Sequence, residues 1–412
     1  MLRSVLHRHL KPRIEAALGD TPAVMLVGAR QTGKSTLARE LAEGAWGAGY
    51  VTLDDATALE SATADPTGFV AGLRGPVVID EVQKAPGLLP AIKASIDGQR
   101  KPGRFLLTGS ADVLSLPRVA ESLAGRMEVA TLWPLSQGEL GGRRERFVEA
   151  VLRGEAVEAP PSREELVARI VRGGYPEAVA RPAAARRRAF LDSYATTLLA
   201  RDARDLSSIE HPAMLRRLLH LAAVRSGSLL NHAELSRALG LPVSTVKRYL
   251  ALLTTLFLVH ETPAWASNRG KRLVRAPKVH LADTGLLAAL AGLDEEALRR
   301  DRNLLGPVLE TFVANELRKQ IGWSEAQPAL HHFRTHAGQE VDLVLEDARG
   351  RVVGIEVKAS ATVASQDLSG LRALVEAAGK AFTQGIVLYL GRAVVPFGPR
   401  LAAWPIEALW AG

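Results

Sequence analysis

A glycine-rich loop constrains the fold of this chain more than any other feature of its sequence. The loop joins an apolar run at residues 23–27 to a helical pattern that begins at residue 36. In parallel α/β folds, the backbone N–H groups of such a loop and the positive end of the following helix hold phosphate groups. We therefore expect an α/β domain with a phosphate site. Its expected contact residues are Gly28, Ala29, Arg30, Gln31, Thr32, Gly33, Lys34, Ser35 and Thr36.

Two side chains of the loop indicate which phosphate compound it takes. The ammonium of Lys34 can reach the β and γ phosphates of a nucleotide, and the hydroxyl of Ser35 can bind magnesium. A glycine-rich turn that matches by chance is the alternative, but the flanking strand and helix patterns favour the phosphate site. The predicted cofactors are ATP and Mg²⁺.

Two carboxylates follow a second apolar run at residues 77–79. They belong to Asp80 and Glu81, at the strand tip that is expected to approach the nucleotide. We expect Asp80 to hold magnesium, directly or through water, and Glu81 to polarise the attacking water. An exposed acidic turn is the alternative.

A polar residue also follows the apolar run at residues 105–107. Ser110 is the candidate there for contacting the γ phosphate or orienting the water, and a turn-forming serine is the alternative. Further along the chain, the guanidinium of Arg126 has the chemistry to stabilise transition-state charge across a subunit interface.

The periodicity of the chain changes along its length. Residues 23–140 alternate short apolar runs with helical patterns, which is typical of a parallel sheet wrapped by helices. A polar, proline-bearing stretch follows, then a mostly helical region, and then an α-β-β-β-α-β order that indicates a mixed α/β domain. The expected divisions are 1–140, a linker or insertion at 141–162, 163–285 and 286–412.

The charge of the chain favours polyanionic partners. Its formal net charge is +8, and basic residues concentrate between Arg181 and Lys278. The sequence contains no cysteine, which excludes disulfides and thiolate zinc sites. No apolar segment has the length of a signal peptide core or a membrane helix, so we expect a cytoplasmic protein without a membrane partner.

Part of the basic region has the pattern of a DNA-binding module. The pattern begins with a helix at residues 229–239, a turn at Gly240 and a second helix at residues 244–255. Two apolar runs at residues 257–259 and 273–274, with a turn at residues 268–271 between them, could then form a β wing. We therefore predict a winged helix-turn-helix whose basic side chains neutralise DNA phosphates. A helical module with a solvated basic face, packed on the rest of the protein, is the alternative. The expected DNA contacts are Thr245, Lys247, Arg248, Arg269, Lys271 and Arg272.

Charged residues alternate on predicted strands near the C-terminus. Glu356 and Lys358 point to the same side of one strand, and Asp342 on the preceding strand can face them. The two carboxylates supply oxygen ligands for a divalent cation, and the lysine can stabilise charge during phosphodiester hydrolysis. Charges on alternate strand residues are common, so an ordinary charged strand face is the alternative.

Nearly the whole chain resembles a group of AAA-type ATPases of bacteria and archaea that carry a nuclease-like C-terminal region. The resemblance rests on the segments GARQTGKST, VVIDEVQKAPGLLPAIK, FLLTGSADVL, SLAGRM, WPLSQGE, GGYPE and PKVHLADTGLL. It implies that Ser110 is sensor-like and that Arg126 is an arginine finger. The C-terminal pattern resembles the PD-(D/E)xK nuclease fold, in which a helix adds a metal-binding glutamate. Glu310 matches that position, whereas Glu316 projects from a different side of the same helix.

Together these features predict a P-loop AAA+ ATPase core, a helical winged-helix middle domain and a C-terminal α/β PD-(D/E)xK nuclease-like domain. We expect a magnesium-dependent ATPase that binds duplex or branched DNA and couples hydrolysis to DNA remodelling, translocation or branch migration. A trans-acting arginine implies a homo-oligomer, and the resemblance alone suggests a hexamer. Two alternatives use the same residues: an ATP-gated DNA nuclease in defence or repair, and a nucleotide-dependent regulatory switch that does not cut DNA.

Overall fold

The computed structural model describes residues 7–110, 123–157, 165–206, 211–272 and 275–411. These residues form two compact units. The first comprises residues 7–134 with residues 255–257, and the second comprises residues 135–254 and 258 onward. Within the described ranges, no helix combines the length and the apolar character needed to cross a membrane.

The first unit is built on a five-stranded parallel sheet. Its strands are β1 Ala23–Val27, β2 Gly49–Thr52, β3 Val77–Asp80, β4 Phe105–Gly109 and β5 Met127–Thr131. They lie in the order β2-β3-β4-β1-β5. Every residue of β1, β3 and β4 is buried, because the inner strands of such a sheet are covered on both faces. The predicted parallel α/β core is confirmed.

Helices alternate with these strands along the chain. They are α1 Lys11–Asp20, α2 Lys34–Glu43, α3 Ala56–Ala64, α4 Pro66–Gly72 and α5 Leu88–Gly98. Leu37 and Leu41 lie four residues apart on one face of α2 and share a core cluster with Val24 and Leu106 of the sheet. This packing holds the start of α2, and the loop before it, against the end of β1.

The second unit begins with a helical region that contains a small antiparallel sheet. The sheet consists of β6 Ser228–Leu229, β7 Val259–Thr262 and β8 Lys278–Leu281, with β8 between the other two. A mostly helical middle region agrees with the sequence pattern. Its helices are α6 Gln137–Gly141, α7 Phe147–Arg153, α8 Leu166–Arg172, α9 Pro176–Val179, α10 Ala184–Leu206, α11 Pro212–Val224, α12 His232–Leu239, α13 Val243–Thr255, α14 Arg269–Arg272, α15 Thr284–Ala291 and α16 Glu295–Arg300.

Two segments differ from the pattern-based expectation. Helix α7 lies where we expected a polar linker, because Phe147 and Val151 repeat at helical spacing and are fully buried. Helix α14 lies where we expected the turn of a wing, and β7 pairs instead with β8. Residues 273–274, expected as the second wing strand, lie outside the described residues.

A six-stranded sheet completes the second unit. Helix α17 Arg302–Trp323 precedes it, and α18 Ser369–Ala378 joins its third and fourth strands. The strands are β9 Ala329–Arg334, β10 Glu340–Glu346, β11 Val352–Lys358, β12 Phe382–Tyr389, β13 Val395–Pro396 and β14 Leu401–Pro405. Their order is β13-β14-β12-β11-β10-β9, with β9 to β11 antiparallel and β12 parallel to β11. The mixed α/β order expected for this region is present.

Candidate functional site

The predicted phosphate loop lies between β1 and α2 and has the backbone conformation of a cradle. Gly28, Gln31 and Gly33 have positive φ angles of 150°, 62° and 94°. A Cβ on Gly28 would lie 2.3 Å from the carbonyl oxygen of Leu132, so only glycine fits there. The N-terminus of α2 has no side-chain cap among the described residues. Phosphate oxygens can therefore accept hydrogen bonds from its first N–H groups.

Side chains of the loop stabilise this conformation. The buried hydroxyl of Thr32 donates to the carbonyl oxygen of Ala29 at 3.0 Å. The ammonium of Lys34 donates to the carbonyl oxygens of Gly28 at 2.9 Å and Ala29 at 2.8 Å. Because anionic phosphates are stronger partners for an ammonium than neutral carbonyls, Lys34 can exchange these bonds for nucleotide phosphates. The remaining predicted contacts, Arg30, Gln31, Ser35 and Thr36, lie in the loop and the first turn of α2.

Arg8 supports the loop from outside the motif. It is buried, and its guanidinium donates to the carbonyl oxygen of Thr32 at 2.7 Å and to that of Trp133 at 2.7 Å. The planar guanidinium therefore ties the loop to the segment that follows β5. Sequence reasoning missed this residue, since a lone arginine ahead of α1 has no motif spacing.

Oxygen ligands suited to magnesium converge beside the loop. The hydroxyl of Ser35 donates to Oδ1 of Asp80 at 3.0 Å, and Asp80 is buried. The hydroxyl of Thr108 donates to the same oxygen, and that of Thr52 donates to Oδ2 at 3.4 Å. Mg²⁺ prefers oxygen ligands, so this set fits an ion bound together with nucleotide phosphates. Ser35 and Asp80 would hold the ion, which supplies neutralisation of phosphate charge.

Glu81 is fixed next to this site by its backbone and by neighbouring side chains. Its φ angle is 60°, an uncommon value for a residue other than glycine, and its N–H donates to Oγ1 of Thr108 at 3.1 Å. The side-chain amide of Gln83 donates to Oε2 of Glu81 and to the hydroxyl oxygen of Ser110, the latter at 3.0 Å. The hydroxyl of Ser110 lies 3.4 Å from the same carboxylate oxygen. The tips of β3 and β4 thus bring both predicted catalytic side chains together.

Gln83 was missed by the sequence reasoning, although it lies two residues after Glu81. Its place in a single 3-10 turn, Val82–Lys84, directs the amide back toward the strand tips. We therefore assign Gln83 a positioning role, because it contacts the candidate base and the candidate sensor at once.

Replacing Gln83 with alanine is expected to lower kcat for ATP about tenfold and to leave ATP affinity unchanged, because a less constrained carboxylate orients water less well. Steady-state hydrolysis and a nucleotide titration measure the two quantities. Gln83→Glu is the sharper comparison, since a second carboxylate beside Glu81 should reduce kcat further. Wild-type turnover in Gln83→Ala would show that Gln83 does not position Glu81.

Arg126 lies at the end of the parallel sheet where the strands begin, and the phosphate loop lies at the other end. It directly precedes β5, and its carbonyl oxygen accepts from the N–H of Ala23 at the start of β1, whereas the loop follows the end of β1. A strand of this length spans roughly 15 Å. The guanidinium pairs with the carboxylate of Asp97 at 2.5 Å and 3.1 Å and lowers the pKa of that carboxyl. Arg126 is therefore placed away from the nucleotide site of its own subunit.

The predicted helix-turn-helix residues lie on α12 and α13. Asn231 caps α12 by accepting from the N–H of Glu234 at 3.1 Å, and Gly240 ends the helix with a φ angle of 67°. Val246, Tyr249, Leu250 and Leu253 bury one face of α13. On its other face Lys247 and Arg248 are exposed, and Thr245 is half-buried.

The remaining predicted DNA contacts lie on or beside α14. The side chains of Arg269 and Lys271 lie outside the described part of the chain. The guanidinium of Arg272 donates to both carboxylate oxygens of Glu346, lies over the ring of Trp265 at 5.4 Å and donates to the carbonyl oxygen of Ala266 at 2.6 Å. Arg272 is thus engaged by its own chain, at the end of β10, and is not presented on a wing.

The C-terminal charged residues form a cluster in which Glu356 is buried and Glu310, Asp342 and Lys358 are half-buried. Asp342 on β10 faces β11, where it accepts from the N–H of Val357 at 2.9 Å. On β11 the ammonium of Lys358 lies 3.0 Å from Oε1 of Glu356. Glu310 on α17 joins the cluster, and burial raises its pKa well above the usual range. Burial likewise raises the pKa of Glu356 to about 8.

The cluster contains a cation that the sequence did not predict. Lys278 of β8 is buried, and its ammonium lies 2.7 Å from Oε1 of Glu310 and 3.2 Å from Oδ1 of Asp342. Burial disfavours the charged form of Lys278, but Asp342 and Glu310 outweigh it and raise its pKa above the usual value. Because the ammonium lies between the two expected metal ligands, this arrangement does not fit a divalent cation there. Within the described ranges, no group of three or more Asp, Glu, His or Cys residues is placed to hold a metal ion.

Glu316 lies elsewhere on α17. Its carboxylate accepts from the ammonium of Lys319 at 2.6 Å and from the N–H of Gln137 at 2.9 Å. Its six-residue offset from Glu310 therefore places it on a different side of the helix, as the helical repeat predicts.

Comparison with protein families assigns three regions of the chain. Residues 20–141 match an AAA domain. Residues 163–297 match one domain of unknown function, DUF8612, and residues 305–409 match another, DUF4143.

Two solved structures have a distant similarity to this chain. A Thermotoga maritima RuvB Holliday junction branch migration motor is 19% identical with a TM-score of 0.29, covering 62% of this chain and 89% of that chain. A STAND protein with a tetratricopeptide repeat sensor from Pyrococcus horikoshii is 11% identical with a TM-score of 0.22, covering 78% of this chain and 47% of that chain. TM-scores this low carry no argument about fold or function.

Two other proteins are more similar to this chain in sequence. The uncharacterized proteins Rv2008c of Mycobacterium tuberculosis and Mb2031c of Mycobacterium bovis are each 34% identical over 360 residues. The alignments cover 86% of this chain and 74% of each relative. With its nucleotide-hydrolysing AAA-type ATPase domain at residues 20–141, the chain belongs to the family of these two mycobacterial proteins.

Proposed function

We propose that this chain is a magnesium-dependent AAA+ ATPase that binds duplex or branched DNA and couples ATP hydrolysis to DNA remodelling, translocation or branch migration. The observation that most supports DNA binding is that Lys247 and Arg248 of α13 are both exposed, in the same chain as the ATPase site. Cations on such a helix neutralise phosphates and release counterions. The net charge of the chain, +8, also favours a polyanionic partner such as DNA.

The topology around α13 supports a winged helix-turn-helix as the DNA-binding module. The order α11-β6-α12-α13-β7-β8 places two helices and a turn beside an antiparallel sheet in which β8 is central. In this arrangement α13 is the helix that approaches DNA. Its N-terminal half carries Thr245, Lys247 and Arg248, so these residues make the proposed phosphate contacts. Arg269 and Lys271 remain proposed contacts as well, whereas the engagement of Arg272 by Glu346 argues against its contribution.

The C-terminal region fits a PD-(D/E)xK nuclease-like domain by its order of elements. Helix α17, strands β9 to β11, helix α18 and strand β12 follow the α-β-β-β-α-β order of that fold. We propose that this domain accompanies the ATPase without being required for hydrolysis. We also propose that the domains divide after residues 140, 162 and 285. The proposed location of the protein is the cytoplasm.

The position of Arg126 supports a homo-oligomer. An arginine at the far edge of the sheet from its own nucleotide can act as a finger only on a nucleotide held by another copy. In a closed ring, every copy both holds a nucleotide and supplies Arg126 to the nucleotide of its neighbour. A hexamer is one such ring.

A DNA-binding comparison tests the role of α13. Replacing both Lys247 and Arg248 with alanine is expected to weaken binding at every sequence and to reduce the slope of log K against log salt by about 2, because two phosphate contacts are lost. Lys380 and Arg392 are exposed elsewhere, so their double alanine variant is a charge-matched control with a wild-type slope. Fluorescence anisotropy at several salt concentrations measures both variants. Equal slopes in the two variants would remove α13 from the interface.

ATP turnover with each form of DNA tests the coupling. Stimulation by duplex, single-stranded or four-way junction DNA, lost in the Lys247 and Arg248 variant, is the expected result. Negligible affinity for all three forms at low salt would overturn the proposal.

A second candidate, a nucleotide-dependent regulatory switch, is favoured by one observation. The amide of Gln83 binds the carboxylate of Glu81, the group that must polarise water. In this function Gln83 restrains Glu81 instead of positioning it, so the ATPase turns over slowly until a partner releases the carboxylate. Gln83→Ala would then raise kcat instead of lowering it. Slow turnover with nucleotide-dependent assembly and no response to DNA would select this function.

A further inference from the structure

We infer that Lys278 closes the C-terminal carboxylate cluster, so that a protein ammonium occupies the position where the nuclease-like pattern calls for a divalent cation. The inference concerns the second unit alone and does not depend on ATP hydrolysis or on DNA binding. It assigns the cluster a role as a largely shielded ion-pair network that joins β8 to α17 and β10.

Direct contacts hold the ammonium of Lys278 within the cluster. The ammonium of Lys278 bridges the carboxylates of Glu310 and Asp342 at 2.7 Å and 3.2 Å, and its side chain is only 5% exposed. Asp342 uses its other oxygen to accept from the N–H of Val357. Both oxygens of Asp342 are therefore engaged by the protein, which leaves this carboxylate poorly placed to ligate an ion.

The backbone that carries Lys278 is held by strand pairing on both sides. Strand β8 lies at the centre of its sheet, where Lys278 is paired with Leu229 of β6 and with Thr262 of β7. A strand bonded on both sides shifts less readily than a loop or an edge strand. Displacing the ammonium from the carboxylates would therefore require a side-chain rearrangement inside a buried site.

Charge in the cluster also favours the ammonium over a metal ion. Three carboxyl groups, from Glu310, Asp342 and Glu356, lie near two ammonium groups, from Lys278 and Lys358. A carboxylate shielded from solvent requires a compensating charge, and Lys278 supplies one to the pair Glu310 and Asp342 that it contacts. A divalent ion bound to the same oxygens would lie within a few ångströms of that ammonium, where like charges repel in a poorly solvated site. The ammonium and the metal ion are thus alternative occupants of one position.

Binding of Mn²⁺ to the nucleotide-free full chain tests this inference, with the magnesium site of the ATPase removed by Asp80→Asn. In this background we expect no Mn²⁺ site that depends on Glu310. Lys278→Met is expected to raise Mn²⁺ affinity about tenfold or more, and adding Glu310→Gln to Lys278→Met should abolish the gain. Lys278→Arg keeps a cation in place and should show no gain. Electron paramagnetic resonance of free Mn²⁺ gives the stoichiometry, and circular dichroism reports folding.

Two results would overturn the inference. One is tight Mn²⁺ binding by the chain that retains Lys278, weakened by Glu310→Gln or Asp342→Asn. The other is a folded Lys278→Met variant that gains no site. If Lys278→Met does not fold, the titrations of the chain that retains Lys278 with and without Glu310→Gln still decide: equal curves support the inference and unequal curves overturn it.

Discussion

Replacing Glu81 with glutamine is expected to lower the rate of ATP hydrolysis about 100- to 10,000-fold, because the variant loses the carboxylate that we propose polarises the attacking water. The substitution preserves size and the hydrogen bond that Glu81 accepts from Gln83. Residues that contact phosphate and magnesium are untouched, so ATP affinity should stay near the wild-type value. Single-turnover hydrolysis and titration with a fluorescent nucleotide measure the two quantities separately.

Glu60→Gln is the matched control for this substitution. Glu60 is an exposed residue of α3 in the same unit, so the same loss of one negative charge should leave hydrolysis unchanged. Turnover of Glu81→Gln within a factor of about three of wild type would show that another group activates the water.

Replacing Arg126 with alanine is expected to reduce hydrolysis about 1,000- to 100,000-fold, the range measured for arginine fingers. The loss should occur without a matching loss of ATP affinity, because Arg126 is placed away from its own nucleotide site. Arg100→Ala is the matched control: Arg100 is exposed near the same edge, where it donates to the carbonyl oxygen of Gly125 at 3.1 Å.

Mixing two inactive variants distinguishes a finger that acts in trans from a structural arginine. Arg126→Ala subunits retain Glu81, and Glu81→Gln subunits retain Arg126, so a mixed interface can combine both intact residues. We therefore expect the mixture to hydrolyse ATP faster than either variant alone. A mixture no faster than its components, combined with a wild-type rate per subunit that is independent of concentration, would contradict a role between subunits.

Short segments of sequence were sufficient to predict the phosphate site. Much of the loop conformation depends on the loop's own residues, since glycine at positions 28 and 33 permits the positive φ angles and the helix begins directly afterwards at Lys34. Asp80 and Ser110 could be placed because polar residues at the carboxyl ends of buried parallel strands lie together at one end of the sheet. The order β2-β3-β4-β1-β5 then brings these tips beside the loop.

Patterning was less reliable where burial depended on distant partners. Phe147–Arg153 is a buried helix within a stretch that is polar on average, because a few apolar residues at helical spacing suffice when another element covers them. Arg272 belongs to a basic cluster in the sequence, but Glu346, 74 residues away, engages its guanidinium. A count of basic residues cannot show which of them are already paired.

The sequence by itself indicated which residues could carry chemistry in this protein, and the tertiary structure decided how they are arranged. The phosphate loop, its strand-tip carboxylates and the C-terminal acidic motif could all be recognised from residue type and local spacing. Arg8 and Lys278 could not be recognised in this way. The partners of Arg8 lie 24 and 125 residues away in sequence, and those of Lys278 lie 32 and 64 residues away. Such contacts depend on strand order and register, which bring distant residues together. The ammonium of Lys278 between Glu310 and Asp342 therefore became visible only in the folded chain.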